Sequence, residues 1–132
     1  MELKPPTKVI VKMTPHKGWG CFATEKIHAD EIIEECYLLT VPMNPGEASS
    51  LFIDYRFNWP QGEGQWEEQV LPVGYGCVYN HSNDSNATWR NHPECKAFRF
   101  IATRDIEKGE EICTYYGGDS YWEDGRGNTE VI

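Results

Sequence analysis

The stretch 74–89, GYGCVYNHSNDSNATW, decides how this chain is read. It carries three Asn-x-Ser/Thr triplets almost end to end: Asn80-His81-Ser82, Asn83-Asp84-Ser85 and Asn86-Ala87-Thr88. Each matches the acceptor pattern for N-glycosylation, which would make the stretch a sugar-bearing loop of a secreted protein. A second reading is a loop whose Asn, Asp and Ser side chains satisfy their own backbone. A third is a binding site. An asparagine amide donates and accepts at once, which suits recognition of a polar cofactor.

The rest of the chain bears on that choice. With 132 residues, it has the length of one ordinary domain, enough to fold without disulfide or metal. The first fifteen residues, MELKPPTKVIVKMTP, hold no apolar run of signal-peptide or membrane-helix length, so a soluble, intracellular protein without membrane association is expected. Five cysteines, an odd number with no C-x-x-C, suggest neither a disulfide framework nor a zinc ribbon. His92-Pro93-Glu94-Cys95 has no second ligand pair near it, so no metal is expected. The net charge of −9 argues against binding nucleic acid through phosphate neutralisation. An acidic surface instead attracts a basic partner or a lysine-rich peptide.

The pattern is that of a mostly β chain of short strands and irregular loops, with little helix. Strands are predicted at 9–13 and 21–27, with HKGWG (16–20) as the hairpin turn between them. Others are predicted at 31–41, 51–59, 96–106 and 110–117. In the strand at 96–106, Phe98, Phe100 and Ala102 share one face and Ile101 lies opposite. QGEGQWEEQ (61–69) reads as loop or a single helical turn. The stretch 74–89 reads as a short helix or irregular segment followed by loop, and the tail from 123 as polar and mobile.

Three places combine glycine, polar groups and aromatics beyond what packing requires. In Gly18-Trp19-Gly20, two glycines let a backbone approach a ligand closely while the indole offers a flat surface. An ordinary turn with a core tryptophan is the plainer account. Asn80-His81-Ser82 with Asn86 is the second place. The third is Tyr115-Tyr116-Gly117 with Tyr121-Trp122 close behind. A phenol at a strand end can hold a substrate nitrogen, and aromatic walls accept a cationic side chain.

In order and spacing, G-W-G before a strand, N-H-S-x-x-x-N-A, and G-E-E-I-x-x-x-Y-G resemble the SET domain of protein lysine methyltransferases. The likeness runs from about Val9 to Trp122. It is nearest to the small free-standing viral and bacterial members, and makes 1–132 a single domain with a tail at 123–132. It implies a β-clip-like fold of several short curved sheets with a pseudoknot-like loop. It also implies transfer of methyl from S-adenosylmethionine to the ε-amine of a lysine in a basic protein, such as a histone tail. By the same resemblance, Gly18, Trp19, Gly20, Asn80 and His81 contact the cofactor, and Trp122 covers the adenine or the channel mouth. Tyr116 is the catalytic tyrosine, Tyr55 lines the lysine channel and Tyr121 limits how many methyl groups fit.

Two departures stand out. Asn83 and Ser85 replace the family's usual Cys and Pro in the N-H-S string, which bears on how that loop is kept rigid. No cysteine follows Cys113, so the zinc cluster that closes the channel in many relatives has no counterpart; Trp122, the acidic tail or a second subunit in a homodimer would replace it. A histone substrate implies a nuclear location, another substrate a cytoplasmic one. The alternative is a SET-fold module that binds a basic peptide without catalysis.

Overall fold

Three consecutive β-branched residues, Val9-Ile10-Val11, open the first strand, β1 (Val9–Thr14), and Pro15-His16-Lys17 turn the chain into β2 (Gly18–Ala23). The register pairs Thr14 with Gly18 and Met13 with Trp19. Gly18 has φ of +73°, the left-handed conformation that completes such a turn and that glycine adopts without strain. Thr14 Oγ1 caps it, donating to the Gly18 carbonyl at 2.7 Å and accepting from the Lys17 amide at 2.9 Å. Gly18-Trp19-Gly20 is therefore the beginning of a strand rather than the turn, and that strand ends at Ala23. Ile27, expected at its far end, instead forms an isolated bridge with Ile106.

The computed structural model describes residues 1–41, 57–61 and 68–115, and every regular element among them is a strand. After β2 come β3 (Ile32–Thr40), β4 (Phe57–Trp59), β5 (Glu68–Pro72), β6 (Asn80–His81), β7 (Ala87–Asn91), β8 (Ala97–Ala102) and β9 (Glu111–Thr114). One sheet has the order β1-β2-β9-β6, the other β4-β5-β3-β8-β7. An irregularity in the β3–β8 register between Ile32 and Glu34 bends the longest strand, as bulges do.

β5 and β7 depart from the sequence reading, which placed loops there. Glu68-Gln69-Val70-Leu71-Pro72 starts polar and ends in proline, so its pattern is weak. It is held as a strand because it lies between β4 and β3, with Val70 fully buried. Ala87-Thr88-Trp89-Arg90-Asn91 follows a run of turn-forming residues and occupies the sheet edge beside β8, where polar side chains can face water. Conversely, β8 agrees with expectation: Phe98, Phe100 and Ala102 are buried on one face. They form the core with Ile33, Cys36, Leu38, Val70, Tyr79, Ile106 and Ile112. Truncating either phenylalanine to alanine would cost about 3–5 kcal/mol.

The arrangement that positions the site is β6. This two-residue strand runs parallel to β9, pairing Asn80 with Cys113 and His81 with Thr114. Parallel neighbours need a long crossover, and here the chain travels out through β7 and β8 in the second sheet before returning as β9. β9 is thus laid between β2 and β6, and Ile112, Cys113 and Thr114 are all buried rather than alternating in and out.

Candidate active site

Two strands remote in sequence meet through one asparagine. Asn80 Nδ2 donates to Glu111 Oε2 at 2.7 Å and to the Trp19 carbonyl at 3.2 Å, joining β6 to both β9 and β2. Both amide hydrogens are thereby used on acceptors, which fixes the amide's orientation and leaves Oδ1 as its accepting end. Glu111 Oε1 is also paired with Lys17 Nζ at 3.4 Å. Gly20 is required by this contact. A Cβ built there would lie 2.6 Å from Glu111 Oε2, 2.9 Å from Asn80 Nδ2 and 3.3 Å from Thr14 Cγ2. At Gly18 the same addition meets nothing within 4 Å, so the two glycines of the motif serve different ends: one allows the backbone angle, the other leaves room for the asparagine.

Trp19 projects from β2 with 58% of its surface exposed, so it is not the core tryptophan of the plainer account. His81 is buried; its Nε2 lies 3.2 Å from Asn83 Oδ1 and its ring lies against Tyr115, centroids 5.1 Å apart. Burial lowers its pKa from the usual 6.5, with the positive charge of Lys17 acting in the same direction and the Asn83 contact opposing. Tyr115 itself is half exposed at the end of β9. Gly18, Trp19, Gly20, Asn80 and His81 are accordingly brought to one region of the four-stranded sheet, next to the first residue of Tyr115-Tyr116-Gly117. Tyr55, Tyr116, Tyr121 and Trp122 lie outside the described residues.

Sequence reasoning passed over Glu111 and Lys17, and it grouped Asn86 with Asn80-His81-Ser82 without giving it a role. Glu111 was in view as the second acidic residue of G-E-E-I, but nothing in a strand pattern says which asparagine it will meet. Asn86 turns out to be a buried cross-link. Its Nδ2 donates to the Glu111 carbonyl at 2.8 Å and to Glu110 Oε2 at 3.1 Å, and its Oδ1 accepts from the Cys113 amide at 2.9 Å. With 2% exposure and both amide hydrogens used, its side chain is not available to carry a glycan in the folded protein.

A fold of two short curved sheets, with an Asn-His strand laid parallel to the strand that leads into Tyr-Gly, defines a class. The profile of the SET domain matches residues 18–117, and the chain belongs to the SET-domain family. It is 28% identical over 117 residues to the histone-lysine N-methyltransferase, H3 lysine-37 specific, of Schizosaccharomyces pombe, covering 86% of this chain and 76% of that one. It is also similar to the crystal structure of a candidate histone methyltransferase of Plasmodium falciparum, with a TM-score of 0.69 and 29% identity over 86% of this chain and 96% of that one. The family match and the Schizosaccharomyces pombe relative support a lysine methyltransferase activity. Among the described residues no helix is long and apolar enough to cross a membrane.

Proposed function

We propose that this chain is an S-adenosylmethionine-dependent protein-lysine N-methyltransferase acting on a lysine of a basic protein such as a histone. The observation that carries the proposal is the convergence of Trp19 on β2 and Asn80-His81 on β6 at the two sides of β9, the strand that leads directly into Tyr115-Tyr116-Gly117. The residues present suit the cofactor. An exposed indole offers a flat apolar surface, and a fixed amide offers an accepting oxygen.

When bound, the cofactor supplies a methyl group activated on a sulfonium. The chain's own part is mainly positional, since holding two reactants in line accounts for much of the barrier in a direct displacement. Trp19, Asn80 and His81 bind and orient on the cofactor side, with Trp122 covering it. Tyr55 lines the lysine channel. There an aromatic wall withdraws the amine from water and lowers its pKa from about 10.4, so that it is neutral and nucleophilic. Tyr116 orients the amine lone pair through its hydroxyl, and Tyr121 restricts the room for added methyl groups. An acidic protein of net charge −9 suits a lysine set among other basic residues, as in a histone tail, which would place the enzyme in a nucleus. A second copy of the chain is a candidate for closing the channel. Neither nucleic acid nor membrane has a role in this reading.

Labelled S-adenosylmethionine incubated with histones, followed by identification of the labelled lysine, tests the activity. Tyr116→Phe should remove most transfer while calorimetry shows nearly unchanged cofactor affinity. Undiminished turnover in that variant would sink the assignment. Peptide binding without any cofactor uptake would indicate a non-catalytic reader.

A further inference from the structure

Glu34 is a carboxylate in the core, 1% exposed, on the face of β3 that also carries Cys36 and Leu38. Its neighbour Glu35 is matched by a cation, Arg99 Nε at 2.7 Å, and His92 Nε2 lies 3.2 Å from it as well. The partners of Glu34 are instead neutral donors. The Tyr79 hydroxyl donates to its Oε1, the Tyr75 amide donates to its Oε2 at 3.3 Å, and the Cys36 thiol lies beside it. Tyr79 is equally buried, its ring packed on Phe100 at 4.9 Å between centroids. The segment is shaped for this contact. Gly74 has φ of +121°, and a Cβ there would lie 2.7 Å from Glu34 Oε2.

A core carboxylate whose hydrogen bonds among the described residues come from neutral groups, with the charge of Lys4 as a lesser influence, is a poor way to gain stability, because its desolvation cost is large. What it does supply is a fixed point for 74–79, the segment that leads directly into Asn80-His81. Tyr79 belongs to the core beneath the five-stranded sheet, and the next residue is β6 of the four-stranded sheet. We propose that Glu34 is a positioning residue: through Tyr79 it sets the place of the Asn80-His81 strand on β9, and so the affinity of the site for the cofactor. This rests on the cofactor reading of Asn80-His81 given above. Burial raises the carboxyl's pKa from 4.5 while the Tyr79, Tyr75 and Cys36 contacts and the positive charge of Lys4 oppose the rise, in keeping with a group kept there for geometry.

The test uses the full chain with Tyr79→Phe, Glu34→Gln and, as a control on the same strand, Glu35→Gln. The first readout needs no ligand: the amide resonances of Asn80 and His81 should move in Tyr79→Phe and Glu34→Gln and hold in Glu35→Gln. The second is calorimetry with S-adenosylmethionine. Both core variants should bind it roughly 2- to 30-fold more weakly, the size of effect expected from coupling through a packed network, with KM for a lysine peptide unchanged. Should Glu34→Gln not fold, Tyr79→Phe carries the test alone. Unmoved amides, unaltered affinity, or equal weakening in Glu35→Gln would overturn the proposal, the last because it reveals a general loss of stability. Wild-type protein that takes up no S-adenosylmethionine while the amides still respond refutes the cofactor reading and upholds the positioning role.

Discussion

Gly20→Ala puts the geometry of the Asn80 contact to a quantitative test. The added Cβ falls 2.6 Å from Glu111 Oε2 and 2.9 Å from Asn80 Nδ2, closer than a real Cβ can sit. Both atoms are side-chain tips, so they can swing away without the strands parting. The cost is therefore the hydrogen bond between them rather than a full steric clash. A bond to a charged group contributes about 1.5–3 kcal/mol. With an unfolding entropy near 2.1 cal/mol/K per residue, 132 residues give about 0.28 kcal/mol/K, so Tm should fall by about 5–11 °C. Thermal and urea unfolding measure this, with Gly18→Ala as the comparison. There the new methyl meets open space but φ of +73° strains it, for a loss of about 1 kcal/mol. Because the Gly20 penalty acts through Glu111, Gly20→Ala and Glu111→Ala should combine to much less than the sum of their separate losses. Additive losses, or a Gly20→Ala protein within about 0.5 kcal/mol of wild type, would refute the reasoning.

Three further outcomes follow. His81 has its pKa lowered by burial, so the contribution of its neutral ring is complete above 6.5, the unfolded value, and is lost as pH falls through the lower folded value. Urea unfolding between about pH 8 and pH 5 should show that loss, and an NMR titration placing the folded ring at or above 6.5 would contradict it. Trp19→Ala, at a 58% exposed position, should leave stability within about 0.5 kcal/mol of wild type yet weaken S-adenosylmethionine binding, which calorimetry can read directly. Asn86→Ala strips the Cys113 amide of its acceptor and the Glu111 carbonyl of its donor, so chemical denaturation should report a loss of about 2–4 kcal/mol.

The strands visible beforehand were those rich in β-branched, aromatic or alternating apolar residues: β1, β3, β8 and β9 in full or to within a residue, and β2 and β4 within different bounds. Those missed owe their state to position in the sheet. β5 is a strand because β3 and β4 flank it, and β6 because β9 passes alongside, neither of which a local window can contain. The residues that the structure brings together were legible where β6 was not. Asn80, His81 and Trp19 were singled out by chemical type, which needs no knowledge of pairing. Glu111 was overlooked because its part is to hold Asn80 from 31 residues away. Gly20 was assigned to the approach of a ligand, whereas the space it leaves is filled by the protein itself.

The loop between Asn80-His81 and Asn86 lacks the Cys and Pro usual in this family, and the structure shows what takes their place. Ser82 is anchored at one end, its amide donating to the Thr114 carbonyl at 3.0 Å. Asn86 is anchored at the other, its amide donating to the Cys113 carbonyl at 3.1 Å. Both ends of the loop are therefore tied to consecutive residues of β9. Between them, Ser82 Oγ accepts from the Asp84 amide at 3.1 Å, and Arg104 Nη1 reaches Asp84 Oδ1 at 3.0 Å and the Ser85 carbonyl at 3.1 Å. Asp84 is exposed, so its ion pair adds little. The hold of Arg104 on the Ser85 carbonyl and the two anchors on β9 keep the loop's shape. Asn83 presents its side-chain Oδ1 to His81 Nε2 at 3.2 Å. The three acceptor-like triplets thus divide by work: Asn80 binds across to β2 and β9, Asn83 meets the histidine, and Asn86 fastens the loop to the strand that leads into Tyr115.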